Sequence, residues 1–296
     1  MGFYRNWFLA SRPWSLTMTF VSIAVGFVYA SAECGFSISL FLLTLIAGVL
    51  VHLGANLMND YFDVKNGVDF DSVLTAQYRP HPLVEGKIEL KSVLRVSVVM
   101  FLIAAMIGLY LVITRGFLLL WIGLAGLFLA IAYTAPPFKY KYKGLGEIGV
   151  LLIWGPLMTA GSYYIQTLSL NWEIIVISVP IGLLVALVLL INNIRDRASD
   201  GSQSIKTLPV VFSKQGGLHI YTGIIILAYL WIIVISLFGP LTVWSLLVLL
   251  SCPLAFKMIK QMYQEIPDDA DAETAKLDTL FGVLLLVSII LGNYVG

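Results

Sequence analysis

Residues 56–69 read NLMNDYFDVKNGVD, and residues 192–200 read NNIRDRASD. Each stretch closes a long apolar run. Ionised groups at the lip of a membrane segment are costly and normally face a cavity or a partner. If the helices before them continue, Asn56, Asn59, Asp60 and Asp63 stand at i, i+3, i+4 and i+7, on one face. Asn193, Asp196 and Asp200 stand at i, i+3 and i+7, with Asn192 beside them. Both sets form stripes of oxygen ligands.

The rest of the chain explains why such stripes stand out. Of 296 residues, 59% are hydrophobic and only 12% are charged, and the mean hydropathy is +0.92. Runs such as SLTMTFVSIAVGFVYASA are long enough to cross a ~30 Å hydrocarbon layer. The alternating segments of a membrane barrel are absent, so the expected class is an all-α integral membrane protein. Nine spans are predicted, over 14–32, 37–58, 92–113, 117–135, 147–167, 172–193, 218–237, 240–258 and 279–295, in a single membrane domain. The first lacks a small-residue cleavage site after its apolar core and reads as a retained span. Cys34 and Cys252 lie alone, without metal or disulfide spacing.

The links between spans alternate in character. Of the 18 Lys and Arg residues, all but Arg115 fall on the side of the N-terminus. That bias predicts a cytoplasmic N-terminus, cytoplasmic loops over 64–91 and 196–217, and a C-terminus outside, in the cell membrane. The acids collect on the same side, with only Glu33 and Glu173 opposite. The charge bias alone does not call for that, but a polar chemical surface does. The two acidic stretches end spans 2 and 6, which suggests two four-helix repeats with span 9 appended.

Two carboxylate stripes facing one cavity would repel unless a cation lay between them. Oxygen donors without paired His or Cys favour Mg²⁺, which takes one or two carboxylates and completes its shell with water and phosphate oxygens. The economical reading is a diphosphate held between two Mg²⁺ sites, with Asn56, Asp60, Asp63, Asp196 and Asp200 as metal ligands. Cations for the diphosphate lie on the same side: Arg79, Lys139, Lys141, Lys143, Arg195 and Lys206. His52 stands one turn before Asn56 and reads as an interior histidine. Tyr61 and Tyr133 fit an interfacial aromatic belt, or aromatic faces for a carbocation.

The pair NDYFD and DRASD, on even-numbered spans, resembles the UbiA superfamily of intramembrane prenyltransferases. RPWSL before span 1, YTAPPFKYKYKGLGE after span 4, WGPLMTAGSYYIQT in span 5 and NNIRDRASDGSQSIKTLPV after span 6 are similar to the branch that prenylates dihydroxynaphthoate for menaquinone. The resemblance implies a bundle around a central cavity open laterally to lipid. It implies Mg²⁺-dependent transfer of a polyprenyl group from its diphosphate to an aromatic acceptor. Asp60 and Asp63 match the first acidic motif, Asp69 a further acid in the next loop, and Asp196 and Asp200 the second motif. Asn56 and Asn192 are the amides at the helix ends, and Lys139 or Lys141 falls where a diphosphate-contacting lysine is expected. The expected catalytic residues are Asp63, Asp196, Lys139 and Lys141, with Asn59, Asp69, Arg79, Lys141, Asn192, Arg195 and Lys206 at the diphosphate. The expected partners are a polyprenyl diphosphate, a small aromatic acceptor and the bilayer, with no nucleic acid. Other acceptors of the superfamily, 4-hydroxybenzoate, a glycerol-phosphate lipid or haem, are alternatives, as is an ion-coupled transporter from outside it.

Overall fold

A computed structural model describes residues 2–68, 81–203 and 205–295, and every regular element in them is helical. A short helix α1 (Gly2–Ser11) precedes α2 (Leu16–Cys34), α3 (Ile38–Lys65), α4 (Leu90–Arg115) and α5 (Leu118–Ala132). There follow α6 (Gly146–Thr167), α7 (Trp172–Arg195), the short α8 (Arg197–Ser202), α9 (Leu208–Leu237), α10 (Val243–Gln264) and α11 (Ala270–Tyr294). Among the described residues, eight helical stretches are long and apolar enough to cross a membrane. The ninth predicted span, over 117–135, is the 15-residue α5. At 1.5 Å per residue it reaches only about 22 Å. The protein is an integral membrane helical bundle; among the described residues eight stretches have spanning length, and α5 falls short of it.

The pattern of two helices, a polar connection and two more helices occurs twice, as α2–α3 with α4–α5 and as α6–α7 with α9–α10; α11 closes the bundle. Tight links between the paired helices carry their own caps. Ser37 Oγ accepts from Leu40 N at 3.5 Å before α3, and Asn171 Oδ1 accepts from Ile174 N at 3.1 Å before α7. α7 is the central post. Its buried Ile177, Ile181, Leu184, Leu187, Leu190 and Ile191 belong to the largest core, shared with α9 and α11, as expected of a helix that is apolar all round.

Two departures from the expected spans position the site. α3 runs on to Lys65 rather than ending at 58, so its acidic stretch is helical and lies inside the protein. The second stripe is not one helix: α7 stops at Arg195, Asp196 takes φ −87°, ψ 6°, and α8 begins at Arg197. The loop expected over 196–217 therefore holds α8 and the first turns of α9, which bends at Ser213 (φ 74°, ψ 166°). α6 contains a π-helical segment, Ile153–Ala160, with Gly155 outside helical geometry and Pro156 next to it. Proline supplies no N–H and crowds the preceding turn, which accounts for the break. Gly155 and Gly182 let α6 and α7 meet backbone to backbone; a Cβ on Gly182 would lie 2.5 Å from the Leu151 carbonyl oxygen.

Candidate active site

The antiparallel order brings seven chain segments to one end of the bundle: the starts of α2, α6 and α11, the ends of α3 and α7, the turn after α5, and α8 with its link to α9. They enclose a chamber of about 250 Å³. Its deep walls are Met18, Val51, Ile153, Trp154, Met158, Val185, Val188 and Leu189; its polar end carries Asn56, Asn59, Asp63, Lys141, Asn192, Asn193, Asp196 and Asp200. The two acidic stretches thus share one cavity. A second, apolar groove of about 670 Å³ runs between α2 and α11, past Thr17, Thr279 and Val283, and shares Trp14, Ala272 and Ala275 with the chamber.

Asp63 is the hub of the α3 wall. Lys141 Nζ donates to its Oδ2 at 2.6 Å and to Asn59 Oδ1 at 2.9 Å, while Asn59 Nδ2 donates to the same Oδ2 at 2.8 Å. The Tyr142 hydroxyl donates to Asp63 Oδ1 at 2.5 Å. Burial first, and the Asp63 charge next, push the Tyr142 phenol above its ordinary value, so it stays a donor. The turn explains which lysine arrives. Lys139 takes φ 46° and is not part of the chamber wall, and Lys141 N then donates to Tyr133 O at 3.0 Å, folding the chain back. Lys141 Nζ also lies 5.8 Å from the centre of the Tyr133 ring, which lines the chamber.

On the α7 wall, Asn193 Nδ2 donates to Glu147 Oε1 at 2.8 Å, tying α7 to the first turn of α6. Asp200 accepts from the Thr207 hydroxyl at 3.3 Å. Burial raises the Asp200 carboxyl to about 7; Lys141 opposes this and the Asp196 and Asp63 charges add to it.

Other expected site residues lie elsewhere. Asp60 is buried, pairs with the Arg12 guanidinium and has His81 Nε2 at 3.9 Å. Arg195 sits behind the chamber wall, its side chain 3% exposed. Lys206 is exposed, with its backbone N–H donating to Tyr142 O at 3.1 Å. Tyr61 lies outside the chamber with Lys65 Nζ 5.5 Å from its ring centre. Asp69 and Arg79 fall outside the described residues.

The chamber also enlists residues that sequence reasoning passed over. Arg12, in left-handed geometry at φ 52°, joins its wall, as do Trp14 and Ser15. The signal was the RPWSL stretch, read there only for its resemblance and for charge. Asn56 Nδ2 donates to Ser11 O at 3.2 Å, and Ser15 Oγ lies 3.1 Å from His52 Nε2. Asp271 of α11 lines the chamber too; nothing in its run of acids set it apart.

The donor set suits a hard divalent cation. Asp63, Asn56 and Asn59 face the cavity from one side, and Asp196, Asp200 and Asn192 from the other. Among the described residues no three His, Cys, Asp or Glu side chains converge on a single ion position. The oxygen donors of the two walls fit Mg²⁺, which takes one or two carboxylates and draws the rest of its shell from water and phosphate, better than a soft transition metal.

An oxygen-lined chamber that shares wall residues with an apolar groove, inside a bundle of membrane-length helices, has the make-up of a site for a lipid with an anionic head. The chain belongs to the UbiA prenyltransferase family, whose model matches residues 17–289, and it is a polyprenyltransferase. Over 289 residues it is 30% identical to the 1,4-dihydroxy-2-naphthoate octaprenyltransferase of Bacillus subtilis (strain 168), covering 96% of this chain and 92% of that one. It is 31% identical over 270 residues to the enzyme of the same name from Escherichia coli (strain K12), covering 88% and 86%. The fold is that of a UbiA homologue from Archaeoglobus fulgidus solved with GPP and Mg²⁺, with TM-score 0.68, 15% identity, and 96% and 99% of the two chains covered.

Proposed function

We propose that the protein transfers a polyprenyl group from a polyprenyl diphosphate to 1,4-dihydroxy-2-naphthoate, with Mg²⁺ at two positions, in the cell membrane and with its polar end cytoplasmic. The observation that carries this is the convergence of Asp63, Asn59 and Asn56 with Asn192, Asp196 and Asp200 on one chamber, with Lys141 between them. The acceptor rests on the two similar octaprenyltransferases, the metal on the donor set, and the orientation on the Lys/Arg bias.

Mg²⁺, held by Asp63, Asp196 and Asp200 with the asparagine amides, would neutralise the diphosphate and make it a better leaving group. Lys141 supplies a charged donor to the departing oxygens, and its bonds to Asp63 and Asn59 hold it in place beforehand. As the allylic C–O bond breaks, the electron pair leaves with the diphosphate. The Tyr133 ring beside the polar end offers an aromatic face to the developing cation. An electron-rich ring carbon of the acceptor then bonds to the allylic carbon and loses its electrofuge, a proton in the simplest case. The α2–α11 groove provides an apolar path for the chain, and the apolar walls keep bulk water from the cation.

Purified protein in nanodiscs with Mg²⁺ and geranylgeranyl diphosphate, offered each acceptor in turn and read by product mass, tests the assignment. The expected result is one prenylated product, from dihydroxynaphthoate. Product from 4-hydroxybenzoate or a glycerol-phosphate lipid alone would overturn the acceptor.

A further inference from the structure

The second acidic stretch holds two cations, Arg195 and Arg197. Arg197 Nε donates to Pro209 O at 2.8 Å, and Arg195, beside Asp196, does not line the chamber either. The Arg195 guanidinium forks onto its own neighbour: Nε donates to Asp196 Oδ1 at 3.1 Å and Nη2 to Asp196 Oδ2 at 3.1 Å. Nη2 also donates to Asn192 Oδ1 at 2.8 Å. The remaining arm crosses to the start of α11, where Nη1 donates to the carbonyl of Asp268, in the turn before the helix, at 2.7 Å and to Asp271 Oδ1 at 3.4 Å. Asn192, Asp196 and Asp271 all line the chamber. The guanidinium therefore lies behind the wall and holds three wall residues from the rear.

This arrangement has a chemical consequence for Asp196. An ionised carboxylate has about four lone-pair directions, and the fork occupies one on each oxygen. A planar, two-point contact also stops rotation about the carboxylate bond, which a lysine at the same place would leave free. The carboxylate then keeps one orientation. Asn192 is held through its oxygen, and its amide orientation is set by the same cation. Asp271 and the Asp268 carbonyl stop the guanidinium from swinging into the chamber, and Asp271 offsets its charge.

We propose that Arg195 and Asp271 are positioning residues of the prenyl-transfer site, fixing Asp196 and Asn192 from behind for the metal–diphosphate head. The inference rests on the proposed Mg²⁺–diphosphate reading and adds to it a role for the start of α11. Arg195 thus acts through Asp196 and Asn192, in place of the direct diphosphate contact its charge first implied. Partners behind a metal ligand change metal affinity by about 10–100-fold when removed.

The test uses the full chain in nanodiscs with Mn²⁺ as the probe ion and inorganic diphosphate present. Protein-bound ion is counted from the loss of the free-ion electron paramagnetic resonance signal beyond the loss in the same diphosphate solution with empty nanodiscs. Asp271→Asn should raise the Mn²⁺ concentration for half-saturation about tenfold or more. Asp271→Glu should recover most of the affinity. A folded Asp271→Asn protein with the wild-type midpoint would overturn the proposal. So would a loss of sites in proportion to unfolded protein with an unchanged midpoint, which is what a simple strut between helices predicts. If Asp271→Asn does not fold, Arg195→Lys keeps the charge without the fork and is read in the same way; a wild-type midpoint there is equally contrary. Wild-type protein that binds no Mn²⁺ with diphosphate would instead remove the metal–diphosphate reading, and this inference with it.

Discussion

Lys141 reaches Asp63 across 78 residues of sequence. In the stretch KYKYK any of three lysines could have made that contact. The choice rests on the left-handed turn at Lys139 and the Lys141 N–H bond to Tyr133, which are tertiary facts with no local signature. Lys141→Met should therefore lower turnover by about 100-fold or more, the usual effect of losing an electrostatic donor at the leaving group. Lys139→Met should stay within about threefold, since that side chain is not in the chamber wall; steady-state kinetics on both variants decide it. Asp200 carries a pH prediction. Its carboxyl, raised to about 7 by burial, holds a proton that the unfolded chain has already released above ~4. Without divalent cations the folded state binds more protons in that window, so this group's contribution to stability falls as pH rises from 4 to 7. In chelator, the unfolding midpoint of wild type should drop across that range, and Asp200→Asn should flatten the curve. Asp60 shows the limit of reading a stripe: it shares a face with Asp63, yet it pairs with Arg12, which charge counting had assigned only to orientation.

For the helices, spacing did most of the work. The i, i+3, i+4, i+7 pattern placed Asn56, Asn59, Asp60 and Asp63 on one helix face, and α3 carries all four because it extends to Lys65. The matching pattern around Asp196 also led to the chamber, by a different route. Side chains seven apart need not share a helix when a turn at Asp196 lets α8 bring Asp200 back. The break in α6 was partly legible in the Gly155–Pro156 pair, but the π-helical turns that place Trp154 and Met158 in the wall were not. Close helix crossings set the frame for both walls. A Cβ on Gly26 would lie 2.4 Å from the Thr159 carbonyl oxygen, where α2 crosses α6. Gly26→Val and Gly182→Val should each destabilise the bundle by about 1–3 kcal/mol, the range for forcing extra bulk into packed positions. Thermal unfolding in nanodiscs would show it, and an unchanged midpoint would argue against these crossings as tight contacts.

Taken whole, the molecule as proposed separates two tasks between its apolar helices and its polar end. The apolar helices and the α2–α11 groove suit a lipid tail, and one end gathers almost all of the charge. Composition and the Lys/Arg bias made that division readable from the chain alone. The count of spans was harder, because α5 is apolar throughout yet only 15 residues long. A transporter would need its acids near mid-membrane on interrupted helices; here Asp63 lies near the end of α3 and Asp196 caps α7. The central claim is that both acidic walls act on one diphosphate through Mg²⁺. It is tested most directly by measuring prenylated dihydroxynaphthoate formed from geranylgeranyl diphosphate by wild type, Asp63→Asn and Asp196→Asn, each with Mg²⁺ or EDTA. The account predicts product from wild type that EDTA abolishes, and folded variants that are each at least about 100-fold slower. Undiminished product from either variant, or from wild type in EDTA, would contradict it.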